Sequence, residues 1–228
     1  MAQLDAESLV QQSKLAIVLV GELAKAFLAA MSSPSPEVVL VRHAETEWSR
    51  SGRHTGRMDI PLTELGRARA LALGSELKER PFETVLTSPL VRAAETCRLV
   101  GLGERAVRRD ELMEWDYCAY EGRRTIEIRD ERPGWSLWRD DVPDGETAEQ
   151  VGERVDFLLA DLRSSLGNAI LFSHGHVLRV LTARWLGLDP RAGRLFALDP
   201  GSLSVIGYER ETPVVRLWNA GKLNERPS

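Results

Sequence analysis

The chain has 228 residues, 43% hydrophobic and 28% charged, with a formal net charge of −4 and a pI near 5.7. That length suits one large α/β domain better than two small ones, and the composition is that of an ordinary globular protein. The acidic balance argues against non-specific binding to nucleic acid or an anionic membrane, so neither is expected as a partner, while a local basic pocket stays compatible with it.

The N-terminal stretch Leu15 to Val20 is apolar but is flanked by Lys14, Glu22 and Lys25. It is too short to span a bilayer, and Asp5 and Glu7 replace the basic start of a secretory signal. An amphipathic helix fits, and so does an upstream extension before a start at Met31; the sequence leaves both open. Ser32-Ser-Pro-Ser-Pro36 then reads as a linker. The expected division is an extension over 1–36, a domain over 37–220 and a tail over 221–228.

Val38 to Val41 is a short β-branched run and predicts a buried strand. Ser49 to Pro61, rich in Gly and Arg, predicts a loop. Thr63 is placed to cap a helix reaching about Arg80, with Leu65, Ala68 and Ala72 on one face. Thr84 to Thr87 predicts a second strand, and Pro89 the first turn of a helix carrying Arg92 and Thr96. Residues 113–145, with Trp115, Trp135 and Trp138, predict a long irregular insertion with one short helix. Val151, Val155, Leu158 and Leu162 repeat at helical steps, giving a helix over Ala148 to Ser164. Ala169 to Phe172 predicts a third buried strand, Val177 to Leu186 a helix, and Leu203 to Tyr208 and Val214 to Trp218 two closing strands, the last at an edge.

Strands alternating with helices imply an α/β fold, a three-layer α/β/α sandwich on a mainly parallel sheet with one antiparallel edge strand. In such sheets ligands bind beyond the carboxyl ends of the strands. Arg42-His43, Ser88 through Arg92, and Ser173-His174-Gly175 should therefore converge. Two arginines suit the paired oxygens of a phosphate, and Gly175 allows a backbone N–H to approach at a helix N-terminus. One unprotonated imidazole can attack phosphorus, while a second, protonated one would offset charge on the equatorial oxygens.

These residues also carry a family resemblance. Val41-Arg-His-Ala-Glu-Thr46 is similar to the R-H-G-E-T signature of the histidine phosphatase superfamily, also called phosphoglycerate mutase-like proteins. Thr55-Gly56 with Asp59 and Pro61-Leu-Thr63, Thr87-Ser-Pro-Leu90 with Arg92 and Thr96, Gly145-Glu-Thr147, and Ser173-His-Gly-His176 match later blocks in order. The resemblance spans Val38 to Asn219. It implies His43 as the nucleophile, Glu114 as the proton donor, and His174 with Arg42 and Arg92 as the rest of the phosphate pocket. Ser49, Thr55, Gly56 and Gly175 are implied as further substrate-binding positions. Ala44 and Ser49 replace the family's usual Gly and Asn. Cys118 replaces a usual Gly, a change that matters if φ there is positive.

Trp115 stands where mutases carry arginine, and Arg123-Arg124 lies too near Tyr117 to match their later arginine pair. The segment looks more like the phosphatase branch, which includes sugar bisphosphatases of the sedoheptulose-bisphosphatase type and actinobacterial acid phosphatases. The expected activity is thus metal-independent hydrolysis of small phosphorylated metabolites through phosphohistidine, with no cofactor. A cofactor-dependent mutase and a non-catalytic phosphate-binding module are the alternatives. The four histidines lack zinc-site spacing, so no metal is expected. Cys97 and Cys118 read as reduced thiols in the cytoplasm. A homodimer is left open. Of the remaining polar residues, His54 could touch substrate, His176 suits a helix start, and Glu121, Arg123 and Arg124 suit a solvated face.

Overall fold

The computed structural model describes residues 36–221 apart from 79, 141 and 166. The expectations for the N-terminal extension, its linker and the last seven residues lie outside the described residues.

Six strands form one sheet in the order β3-β2-β4-β1-β5-β6. They are β1 Val38–Arg42, β2 Thr84–Thr87, β3 Val107–Arg108, β4 Ala169–Ser173, β5 Leu203–Glu209 and β6 Thr212–Ala220. The four strands from β3 to β1 pair in parallel, with Val41 opposite Phe172 and Thr87 opposite the same residue. The antiparallel part is an edge pair: β5 runs against β1, and β6 against β5. The two-residue β3 has too little pattern to be read from sequence.

The α-helices are α1 Glu47–Ser51, α2 Glu64–Leu77, α3 Val91–Val100, α4 Thr125–Glu131, α5 Ala148–Ser164 and α6 Gly175–Trp185. Side-chain alternation along the strands sorts them into layers. Val38, Leu40 and Leu171 pack with Val155, Leu158 and Leu159 of α5 and Leu178 and Leu181 of α6. Val39, Val41, Ile170 and Phe172 pack on the opposite face with Leu73 and Leu77 of α2 and Cys97 and Val100 of α3. That is the three-layer sandwich. Because both faces are covered, β1 and β4 read as continuous apolar runs rather than alternating ones.

Local chemistry sets the helix ends. Thr147 caps α5 in a reciprocal box with Gln150, and Thr63 caps α2 by accepting from the Gly66 N–H at 3.0 Å. The face of α2 differs from the expectation. Leu65 is 68% exposed, and the buried stripe is Gly66, Ala70, Leu73 and Leu77. Gly66 anchors it because its missing side chain lets the helix lie on the Glu45 backbone, where a Cβ would come within 2.2 Å of the carbonyl oxygen. A glycine contributes nothing to an apolar count, so the expected stripe lies one to two residues before the buried one.

Candidate active site

The carboxyl ends of β1, β2 and β4 bring the three expected segments together. Register does this directly, since Arg42 pairs with Ser173 and the His43 N–H bonds the Ser173 carbonyl at 2.8 Å. Across β2, the Ser88 N–H bonds the Phe172 carbonyl at 2.9 Å. A cavity of about 230 Å³ opens there, lined among others by Arg42, His43, Ser49, Thr55, Glu114 and Gly175.

His43 is buried, and its Nδ1 lies 2.8 Å from the Ala44 carbonyl oxygen. A carbonyl only accepts, so Nδ1 carries the proton and Nε2 keeps its lone pair. Burial holds the imidazole well below the usual histidine range, and the charges of Arg92 and Arg42 push the same way. His174 lies behind it, with ring centroids 5.2 Å apart. Its Nδ1 accepts from Arg92 Nε at 3.1 Å and its Nε2 sits 2.8 Å from Ser88 Oγ. This ring too is held low by burial, then by Arg92, His43 and Arg42. The second imidazole, expected to be protonated, is therefore neutral here, because a guanidinium can only donate to its Nδ1.

The two arginines differ. Arg42 donates from Nη1 to the Leu198 carbonyl, and its buried Nε has no partner among the described residues. An orphaned guanidinium N–H beside a cavity is suited to an anion. Gly175 leaves room for this group: a Cβ there would sit 3.2 Å from Arg42 Cζ. Arg92 is completely buried and does not line the cavity. Its Nη1 donates to the Met58 carbonyl at 2.9 Å and its Nη2 to those of Thr55 and Gly56 at 3.0 and 2.8 Å. The expected phosphate fork is thus largely committed to a loop and to His174.

Glu114 is buried at the N-terminus of α6. Its Oε1 accepts the N–H groups of Trp115 and Val177 at 3.0 and 2.9 Å, and its Oε2 that of His176 at 3.0 Å. The carboxylate that faces the cavity is thereby fixed by three backbone donors. The Gly145-Glu-Thr turn supports it from behind. The Glu146 N–H bonds the Asp116 carbonyl at 3.0 Å, and a Cβ on Gly145 would come within 2.4 Å of that oxygen.

The weaker candidates divide. Thr55 lines the cavity, while its hydroxyl bonds the Arg53 carbonyl at 3.2 Å. Ser49 lines it too, but its Oγ accepts from the Thr46 N–H and donates to the Thr46 carbonyl in the α1 capping box. Gly56 does not line it. Its N–H bonds Glu121 Oε1 at 2.7 Å, and a Cβ would meet the Trp115 carbonyl oxygen at 2.7 Å, so its role is close packing of the loop. Glu121 is correspondingly a loop anchor rather than a solvated residue, since its Oε2 also accepts from the Arg57 N–H at 3.2 Å. Cys118 has φ of 33°, so the residue in the family's glycine position does take a left-handed backbone.

His54 and His176, the two histidines the sequence left open, line the cavity with Tyr117, while the support given by Arg154 was not read from sequence. Tyr117 Oη lies 2.6 Å from His176 Nδ1, and His54 packs on Tyr117 at 4.9 Å. Burial pushes His54 down to about 4. Arg154 of α5 donates to the Glu111 and Met113 carbonyls at 2.7 and 2.8 Å and pairs with Glu146, pinning the segment that carries Glu114. Among the described residues, no three His, Cys, Asp or Glu side chains are grouped to hold a metal ion. No helix of these residues is long and apolar enough to cross a membrane.

A neutral buried imidazole beside an arginine whose Nε is left unpaired among the described residues, at the carboxyl end of a parallel sheet, suits a phosphoryl-handling α/β enzyme. The chain belongs to the histidine phosphatase superfamily (branch 1), whose family model matches residues 38–221. It is 39% identical over 176 residues to an acid phosphatase of Mycobacterium tuberculosis, covering 75% of this chain and 86% of that protein. It is 38% identical over 191 residues to the sedoheptulose 1,7-bisphosphatase of Saccharomyces cerevisiae, covering 69% and 70%. Among solved structures, an open reading frame product of Mycobacterium tuberculosis superposes with a TM-score of 0.78 at 35% identity, covering 82% of this chain and all of that one. Family and relatives together make this chain a phosphatase acting on phosphomonoesters.

Proposed function

We propose that the chain hydrolyses small phosphorylated metabolites through a phosphohistidine on His43, without a metal. The observation that carries this reading is the His43 tautomer. The Ala44 carbonyl holds the proton on Nδ1, so Nε2 is a free nucleophile at the cavity. In the first step Nε2 bonds phosphorus while the ester P–O bond breaks, and the departing oxygen takes a proton from Glu114. In the second, water attacks the phosphohistidine, the P–N bond breaks, and the water proton goes to the Glu114 carboxylate. Arg42 and the Gly175 N–H at the start of α6 face the phosphoryl oxygens, and the buried charge of Arg92 acts from behind.

Hydrolysis is favoured over a mutase reaction by what surrounds Trp115. Trp115 is buried and donates to the Glu146 carbonyl at 2.7 Å, and Arg123 and Arg124 pair with Glu131 and Glu127. None of the three lines the cavity, so the Arg123-Arg124 pair is not placed to hold a substrate for rephosphorylation. The absence of a metal-ligand cluster among the described residues supports metal independence. A cytoplasmic setting belongs to the same reading, supported by two free thiols.

The test is rapid acid quench with p-nitrophenyl phosphate in the presence of EDTA. An acid-labile phosphoenzyme should be trapped in the natural protein and absent in His43→Ala. Full activity of His43→Ala, or its complete loss on chelation in the natural protein, would overturn the mechanism.

A further inference from the structure

Glu114 reaches the cavity from an irregular segment. Residues 111–114 belong to no strand, so no sheet ladder satisfies their carbonyls. Side chains do so instead. Arg154 Nη1 donates to the Glu111 and Met113 carbonyls at 2.7 and 2.8 Å, its Nη2 to that of Glu114 at 3.3 Å, and Ser173 Oγ to that of Leu112 at 2.6 Å. Three of four consecutive carbonyls thus converge on one guanidinium. That guanidinium is itself fixed. Arg154 lies on α5 between the buried Val151 and Val155 and reaches back to Glu146, just before the Thr147 cap. Its Nε and Nη2 meet the Glu146 carboxylate at 2.8 and 3.0 Å. The pair offsets the arginine's charge, so the clamp adds no net charge beside the acid. Glu146 Oε2 also accepts the Asp116 N–H at 2.8 Å, which extends the clamp past Glu114. With its backbone bound to α5 and its carboxylate to the N-terminus of α6, Glu114 is held from both sides. The neighbouring carboxylates are turned elsewhere: Glu111 pairs with Arg109 at 2.7 Å, and Asp116 Oδ1 accepts the Cys118 N–H at 3.0 Å.

We propose that Arg154 is the positioning residue of the proton donor, binding residues 111–114 to α5 so that the Glu114 carboxyl meets the departing oxygen. The proposal rests on the phosphatase reading with Glu114 as the acid. Arg154 does not line the cavity, so it acts on the distance and angle of the Glu114 proton and not on the substrate. Misplacing a reacting group by about 1 Å costs on the order of a hundredfold in rate, and the cost falls only on leaving groups that need the proton.

The test compares propyl phosphate, whose alkoxide must be protonated to leave, with p-nitrophenyl phosphate, whose phenolate needs little protonation. The ratio kcat/KM reports the steps up to that departure, so the shared hydrolysis of the phosphohistidine does not enter. Both esters are assayed with the natural chain, Arg154→Met, Glu114→Gln and the double variant. Arg154→Met should lower kcat/KM for propyl phosphate by about tenfold or more and for p-nitrophenyl phosphate by no more than about threefold. On the Glu114→Gln background the same substitution should add less than about twofold on propyl phosphate, because an acid already removed cannot be misplaced. Equal loss on the two esters, or losses that multiply in the double variant, would mean a general loosening of the fold and overturn the proposal. If Arg154→Met shows no cooperative thermal transition, Arg154→Lys decides. It keeps a charge beside Glu146 with one nitrogen where the arginine used three, and it should shift the ratio of the two esters in the same direction by about threefold or more. An unchanged ratio refutes the role. A selective Glu114→Gln beside an unselective Arg154→Met removes the proposal alone. Equal slowing of both esters by Glu114→Gln removes the acid assignment and the proposal with it, and a natural chain that hydrolyses neither ester removes the phosphatase reading as well.

Discussion

All four histidines of the chain are held below their usual range by burial, and this makes the fold sensitive to acid. The unfolded chain takes up protons as pH falls through about 6.5, and the folded chain does not. Stability is therefore complete above that value and is lost as pH falls toward the folded-state values. A histidine that stays neutral when folded loses about 1.2 kcal/mol between pH 7 and 5.5. His43 and His174 are completely enclosed and contribute that in full; His54 and His176 border the cavity and contribute about half, for a total of about 4 kcal/mol. Against a typical domain stability of about 5–15 kcal/mol that is a large fraction. Urea denaturation at the two pH values measures it. With a slope of about 2 kcal/mol per molar, the midpoint should fall by about 2 M. A fall of less than about 0.5 M would refute the assignment of neutral, buried imidazoles. At His54 the loss should be complete near pH 4.

Arg92→Met would leave His174 Nδ1 and the carbonyls of Thr55, Gly56 and Met58 without their donor. It should cost about 3–5 kcal/mol, read as a fall of about 10 °C in Tm. Cys118→Gly relieves a left-handed backbone at φ 33° and should raise stability by about 0.5–1 kcal/mol in a denaturant titration. Glu114→Gln should slow alkyl phosphates by about a hundredfold and p-nitrophenyl phosphate far less, because that leaving group needs little protonation. Equal loss on both would show that Glu114 serves as the clamp on α6, where an amide nitrogen would face the His176 N–H donor to donor.

The strands and their convergence were legible because they rest on local signals. Fully buried parallel strands must read as apolar runs, and the residues after them must point to one end of the sheet. The partners of long polar side chains were not legible. Arg154 lies between the apolar positions of α5 and Arg179 between those of α6, so each looks like solvated surface until the tertiary structure shows what it touches. The commitment of Arg92 to loop carbonyls was hidden for the same reason, since nothing in Thr55 to Met58 announces that its carbonyls face inward. Gly66 shows a complementary blindness: a contact made by the absence of a side chain has no periodic signature.

The arginines and histidines of the site work as one electrostatic unit. Arg42 and Arg92 both push His43 toward its neutral form, and a neutral ring is what nucleophilic attack requires. In the mechanism proposed above, Arg42 then faces the phosphoryl group that the ring accepts while the charge of Arg92 acts from behind, so the field that prepares the nucleophile also stabilises what it becomes. Neither arginine needs to move between the two roles. Arg92 is tied at every nitrogen to the loop and to His174, and Arg42 is tied at Nη1 while its buried Nε is left without a partner among the described residues. Preorganisation of this kind costs stability, because a buried guanidinium N–H and neutral buried imidazoles are held in place by the fold, and it lowers the reorganisation required when charge develops on the phosphoryl oxygens. The acid sensitivity of the fold and the readiness of His43 thus share one origin in the burial of the rings, to which the charges of Arg92 and Arg42 add at His43 and His174.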